Sequence, residues 1–205
     1  MEHVSIDDEE PNAVGNDGDR RSLSEPLRTT DVAINHYRLA SGEELSGGLH
    51  AHMDQEEVSV VIEGEATFET FTLLRDADCE SDETTSEGGE VTVGAGEAIR
   101  FAPGEFQSGA NESDDELVVL AMGAPRDSED VRIPADCPEC SHDDMRLEIG
   151  ESALTFVCPD CGAERVSQGC PECGHELRVA LGEETQTVVV CRNCGAEFEN
   201  PPFAE

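Results

Sequence analysis

The C-terminal third of the chain is written twice, and that repeat restricts the fold more than any other feature. Cys137-Pro138-Glu139-Cys140 and Cys158-Pro159-Asp160-Cys161 are separated by 17 residues, and so are Cys170-Pro171-Glu172-Cys173 and Cys191-Arg192-Asn193-Cys194. Each cysteine of the first set recurs 33 positions later, and His142 with His175, Val157 with Val190, and Gly162-Ala163-Glu164 with Gly195-Ala196-Glu197 keep the same offset. Two Cys-x2-Cys pairs joined by a spacer of about 15–20 residues present four thiolates to one tetrahedral ion when the spacer folds back as a β-hairpin. A unit of roughly 30 residues, with Leu154, Phe156 and Val157 or Val188, Val189 and Val190 as its apolar content, buries too little surface to fold alone. Metal binding has to supply much of its folding free energy.

The two units resemble zinc ribbons over residues 135 to 199. The resemblance implies one structural zinc on Cys137, Cys140, Cys158 and Cys161 (ribbon 1, residues 136–166) and another on Cys170, Cys173, Cys191 and Cys194 (ribbon 2, residues 167–200). Iron in a rubredoxin-like site is the alternative metal for the same ligands. Crossed pairing, with Cys158 and Cys161 sharing an ion with Cys170 and Cys173, would leave the equal spacers unexplained. His142 and His175 follow their cysteine knuckles by two residues in both units; with four thiols already at each site, they read as surface side chains. The ninth cysteine, Cys79, stands between Asp78 and Glu80, whose charges disfavour its thiolate, and reads as a loop residue.

From residue 31 to 124 the pattern is one of short strands broken by Gly, Pro and Asn: Val32-Ile34-His36, Val58-Val60-Ile62, Ala66 to Leu73, Val91-Thr92-Val93, Ala98 to Phe101 and Leu117 to Met122. Glu63-Gly64-Glu65 reads as a hairpin turn, residues 75–90 as an acidic insertion loop, and residues 125–135 as a linker. Residues 1–30, which have no apolar period, read as a flexible acidic arm, with Arg20-Arg21 in a solvated tail. Many short strands at close spacing call for an all-β sandwich or barrel.

Within this region His50-Ala51-His52 places two imidazoles on one face of an extended strand. A turn at Met53 to Gln55 can return Glu57 beside them, on the same face of the next strand as Ser59 and Val61. Two imidazoles and one carboxylate form a facial triad suited to iron and workable for manganese or zinc. His50, His52, Glu57 and Gly64 match the first signature of the cupin superfamily, and Gly96 to Gln107 with Asn111 resembles the second. The departures are Glu44 where a glycine is usual, Ala102 where a proline is common, and Gln107 where the family's fourth ligand is a histidine. The resemblance, over about residues 30 to 125, implies a jelly-roll barrel holding one divalent metal, Fe, Mn or Zn, with Gln107 at the fourth position. There Gln107 either ligates weakly or orients a substrate or water. Cupins also form homodimers through their sheet edges.

Forty-eight acidic residues face twelve basic ones, all arginine, for a net charge of −36. Such a chain repels itself in dilute buffer and is screened at molar salt, a pattern similar to that of halophilic archaeal proteins. No stretch is basic enough to grip nucleic acid. None is apolar over 18 residues, and no leader is visible. Paired free thiols in this setting point to a reducing, cytoplasmic location. Two functional readings follow: a metal-dependent cupin enzyme of dioxygenase or isomerase type acting on a small organic molecule, or a sensor or scaffold without catalysis whose ribbons contact another protein. A third takes His50 and His52 as vestigial. Glu56, next to the triad, reads as exposed rather than as an acid or base.

Overall fold

The computed structural model describes residues 1–11, 18–74, 85–149, 154–182 and 186–204. Its strands are β1 (Asp19–Ser22), β2 (Ala33–Leu39), β3 (Ala51–His52), β4 (Glu56–Glu63), β5 (Glu65–Leu74), β6 (Thr85–Gly94), β7 (Ala98–Phe101), β8 (Phe106–Ala110), β9 (Leu117–Ala124), β10 (Val131–Ile133), β11 (Met145–Ile149), β12 (Leu154–Val157), β13 (Glu164–Val166), β14 (Leu177–Leu181), β15 (Thr187–Cys191) and β16 (Glu197–Phe198). One helical turn, α1 (Ser24–Leu27), lies between β1 and β2. No helix among the described residues is long and apolar enough to cross a membrane.

The fold is all-β: a jelly roll followed by two small ribbons. One sheet runs β1-β2-β9-β4-β7 and faces a second, β6-β5-β8. Side chains alternate across each strand, so Tyr37, Leu39, Val61, Val119 and Phe101 from the first sheet meet Phe68 from the second in one buried cluster. On β4 this parity turns Glu57, Ser59 and Val61 inward; on the outer face Ile62 is half exposed.

Four expectations change. Glu63-Gly64-Glu65 is a corner rather than a hairpin, because β4 pairs with β7 and β9 while β5 pairs with β6 and β8. Gly64, at φ 78°, lies so close to Glu116 that a Cβ would meet its carbonyl oxygen at 2.5 Å, which is why glycine stands at the corner. In the region read as a flexible arm, β1 pairs with β2 from Asp19↔Arg38 to Ser22↔Asn35; four polar residues on a sheet edge are too few to show a period. Residues 85–90 of the supposed acidic insertion belong to β6, paired with β5 from Glu65↔Gly94 to Leu74↔Thr85, and their Glu and Gly content reflects an edge strand. Cys79 lies outside the described residues. Finally, the region read as a linker contains β10, which pairs with β3 on one side and β11 on the other.

Through β10 the sheet of ribbon 1, β13-β12-β11-β10-β3, runs into the barrel. Arg132 on β10 bonds Asp130 at 2.9 and 2.7 Å and the buried Asp144 at 3.0 Å, fastening the junction. Ribbon 2 is the three-stranded sheet β14-β15-β16. Leu49, Phe71 and Phe106 of the barrel, Met145 and Phe156 of ribbon 1, and Val179 and Val189 of ribbon 2 belong to one buried cluster. The ribbons are packed parts of a shared core, not modules on a tether.

Candidate metal centres and the cavity beside them

Each cysteine cluster draws its thiols from its own repeat: Cys137, Cys140, Cys158 and Cys161 in one, Cys170, Cys173, Cys191 and Cys194 in the other. With Zn–S bonds of about 2.3 Å, the sulfurs of a tetrahedral site stand about 3.8 Å apart. The Cys137–Cys161 and Cys140–Cys158 separations are 3.7 and 3.5 Å, and Cys170–Cys194 and Cys173–Cys191 are 3.7 and 3.4 Å. These donor sets fit a tetrahedral thiophilic ion. His142 sits 3.5 Å from Asp144, and His175 bonds the Cys173 carbonyl at 3.1 Å. Neither is a member of a four-sulfur group.

All four knuckles use one backbone pattern. The first cysteine's carbonyl accepts from the N–H four residues on, and its own N–H donates to the carbonyl five residues on. The residue four places on takes positive φ: 73°, 77° and 71° at Gly162, Gly174 and Gly195, and 59° at Ser141. Serine there forfeits about 1 kcal/mol against glycine. We therefore expect Ser141→Gly to slow the loss of a metal loaded on the Cys137 cluster and to raise stability by about 0.5–1 kcal/mol, measured by chelator-release kinetics and thermal melting.

The third group is His50, His52 and Glu57, whose ligating atoms lie within 4.8 Å of one another. β3 is short but doubly held. His50 exchanges backbone bonds with Gln107 of β8, at 3.1 and 2.8 Å, and His52 pairs with Val131 of β10. The His50 Nδ1 lies 2.9 Å from the Gly48 carbonyl oxygen, which can only accept. That nitrogen therefore carries the proton, and Nε2 keeps a lone pair for a cation. Burial pushes the pKa of His52 below its ordinary value, against the pull of Glu57, which favours the neutral form of this imidazole. Its Nε2 stands 3.6 Å from Glu57 Oε1, and its Nδ1 is buried with no hydrogen-bond partner among the described residues.

Gln107 belongs to the same constellation. Its Nε2 lies 3.0 Å from Glu57 Oε2 and 3.3 Å from His50 Nε2. In this arrangement the amide offers N–H groups to the ligand atoms; direct ligation would require the amide turned over, oxygen inward. Glu56 faces the other way and bonds Arg100 at 2.7 Å.

A cavity of about 680 Å³ opens from these groups, and ribbon residues Phe156, Leu177 and Val179 form part of its wall. Its floor crosses β9 at Ala121, paired with Ser59, and at Gly123, paired with Glu57, where the buried Gln55 amide fills the space a Cβ would take. Gly48, at φ 132°, admits ribbon 2 to the rim, since a Cβ there would meet the Val179 oxygen at 2.7 Å. Leu49 N–H donates to that same oxygen at 2.7 Å, and Glu44 receives Arg192 at 2.6 Å and lies 3.6 Å from Arg178. That the ribbons wall this cavity, and that Arg20 and Arg126 line it, is not legible in the sequence.

No protein-family model matches the chain, and no curated protein matches it. Solved structures similar to it in shape include a Klebsiella pneumoniae uncharacterised conserved protein with a double-stranded β-helix domain (18% identity, TM-score 0.42, covering 62% of this chain and 91% of that one). The Lactobacillus farciminis oxalate decarboxylase formate complex is similar at 21% identity and TM-score 0.46, over 60% of this chain and 32% of that one. A Thermotoga maritima protein described as a predicted oxalate decarboxylase is similar at 20% identity and TM-score 0.45, over 60% and 98%. The architecture of this chain rests on its own strand order and register.

Proposed function

We propose that the barrel is a cupin-type metal site that holds Fe, Mn or Zn on His50, His52 and Glu57 and acts on a small organic molecule in the adjoining cavity, with isomerase- or dioxygenase-type chemistry. The cysteine clusters hold structural zinc in the same reading. The observation that carries it is the meeting of two imidazoles and a carboxylate beside a cavity of about 680 Å³. A cation bound there supplies Lewis acidity toward a substrate oxygen. The chain's own part is to set the His50 tautomer through Gly48, to offer an amide N–H or oxygen from Gln107, and to keep water out with Phe156, Leu177 and Val179. The alternative is a sensor or scaffold whose ribbons contact another protein; Phe156 and Val179 are committed to the shared core, and Leu154 and Val166 of ribbon 1 are the exposed apolar residues it would use. The charge of −36 and the thiols free for metal support a reducing solution of high ionic strength, of the halophilic type.

Elemental analysis of protein purified in high salt tests the reading. We expect three metal ions per chain, and two, both zinc, after His50→Ala and His52→Ala, with the ribbons intact. Two ions in both proteins would remove the enzyme and metal-sensor readings together.

A further inference from the structure

Nine of the eleven described arginines have a carboxylate oxygen within 4.0 Å. That is the natural state of a scarce cation among forty-eight acidic residues. The two without such a partner among the described residues are Arg20 and Arg126, and both line the cavity that opens from the metal-site residues. A guanidinium with no carboxylate partner among the described residues keeps N–H donors available to an anionic ligand.

The sheet register shows how they face the site. Paired residues on adjacent strands share a face. Arg20 of β1 pairs with Tyr37, and Tyr37 pairs with Val119, which pairs with the inward Val61 of β4. Arg20 is therefore on the same face as Glu57. Its guanidinium stacks over the Tyr37 ring at 5.8 Å and donates to Asn35 Oδ1 at 3.2 Å, which fixes its plane and leaves other N–H groups for a ligand. Arg126 follows β9 three residues after Gly123, the direct partner of Glu57. One nitrogen donates to the Thr29 carbonyl at 2.8 Å. Between these arginines and Glu57 the floor is Ala33, Ala121 and Gly123, the last covered by the buried Gln55 amide, which donates to the Pro125 carbonyl at 2.6 Å. From β1 to β4 the sheet spans three strand spacings, about 14 Å between backbones. A small molecule lying over that floor can reach the cation with one end and a guanidinium with the other. Asp127 joins Glu57 as a carboxylate on the cavity wall, and Arg178, already paired with Glu44 and Glu69, lies there too.

We propose that the cavity binds a small organic anion, a carboxylate or a phosphate ester, with its charged end on Arg20 and Arg126 and its other end toward His50, His52 and Glu57. This deepens the metal-site reading and rests on it for the second contact only. The test is calorimetric titration of the metal-replete full chain, at one fixed KCl concentration, with three sets of probes. These are mono- and dicarboxylates of two to six carbons, inorganic phosphate with glycerol phosphate, and the uncharged amides of the same acids. At least one anion is expected to bind, its amide at least about tenfold more weakly. Arg20→Gln and Arg126→Gln should each weaken it about tenfold or more, with Arg20→Lys and Arg126→Lys recovering part of the loss. Arg38→Gln, which removes a surface ion pair with Glu116, should change nothing. Whether the carboxylate or the phosphate series binds identifies the charged group. Absence of binding by every anion, equal binding of the amides, or full affinity in folded Gln and Lys variants would overturn the proposal. Metal content is counted on the same samples: anion binding that survives without a third metal removes the metal reading alone, and three metals without anion binding remove this one alone.

Discussion

Removing the metal from ribbon 1 is expected to disorder that ribbon and to loosen the His52 end of the barrel site with it. Structural zinc contributes about 10–16 kcal/mol in isolated four-ligand units, more than a ribbon of this size can recover by packing. Its sheet does not stop at the ribbon boundary: β11 pairs with β10, and β10 holds Val131 opposite His52 and Arg132 opposite Ala51. Met53 N–H also donates to the Asp130 carbonyl at 2.8 Å. With ribbon 1 unfolded, this segment keeps its bonds on the other side, from His50 to Gln107 and from Gly104 N–H to the His52 carbonyl at 3.0 Å. Hydrogen exchange of a Cys137→Ser, Cys158→Ser variant should show the Met53 amide and the β10 amides losing protection by orders of magnitude, while β4 and β9 amides stay protected. The barrel metal should leave the variant faster. A Met53 amide that exchanges as slowly as in the parent chain would show that the ladder transmits nothing.

The second large effect is salt. Moving from about 0.01 M to about 1 M shortens the Debye length from about 30 to about 3 Å, which removes most of the self-repulsion of a chain at −36. Ion pairs pull the other way, since salt weakens them too. The exposed ones, such as Arg38 with Glu116, are worth at most about 1 kcal/mol each. The Glu44 pairs at the ribbon 2 junction are largely shielded, with Glu44 only 16% exposed, and are screened less. Repulsion among dozens of carboxylates therefore decides the sign. We expect about 3 kcal/mol or more of added stability at molar KCl, a rise in Tm of about 6–12 °C for a chain of this length. A Tm that stays flat or falls along a KCl series would set aside the reading of the charge as adaptation to concentrated salt.

What could be read from the sequence was what is local or periodic. Cysteine spacing gave the two four-sulfur clusters because each knuckle is a five-residue backbone unit with its ligands fixed inside it. Strand parity brought His50, His52 and Glu57 together because the period of two is unforgiving: one residue of slip would have turned Glu57 outward. What could not be read depends on long-range pairing. Arg20 reaches the cavity only because β1 adds to the edge of β2, and nothing in four polar residues announces that. β10 is three residues long, too short for any period, yet it joins ribbon 1 to β3. Phe156 and Val189 carry the right hydrophobicity for an isolated ribbon core, so the sequence offers no reason to place them against Leu49 and Phe106. Gln107 was legible as a substitution, but which end of its amide faces the centre is a matter of rotamer.

Gly48 joins two tasks in one residue: its carbonyl sets the proton on His50, and its bare Cα is where β14 leans on the barrel rim. Without ribbon 2 the backbone at φ 132° would still favour glycine there, and with it the Val179 oxygen, 2.7 Å from where a Cβ would stand, adds a second and independent bar to change. The chain thus records its two halves as co-owners of a single position, so exchanging one ribbon for a foreign module is a repair problem at residue 48 before it is a question of linkers.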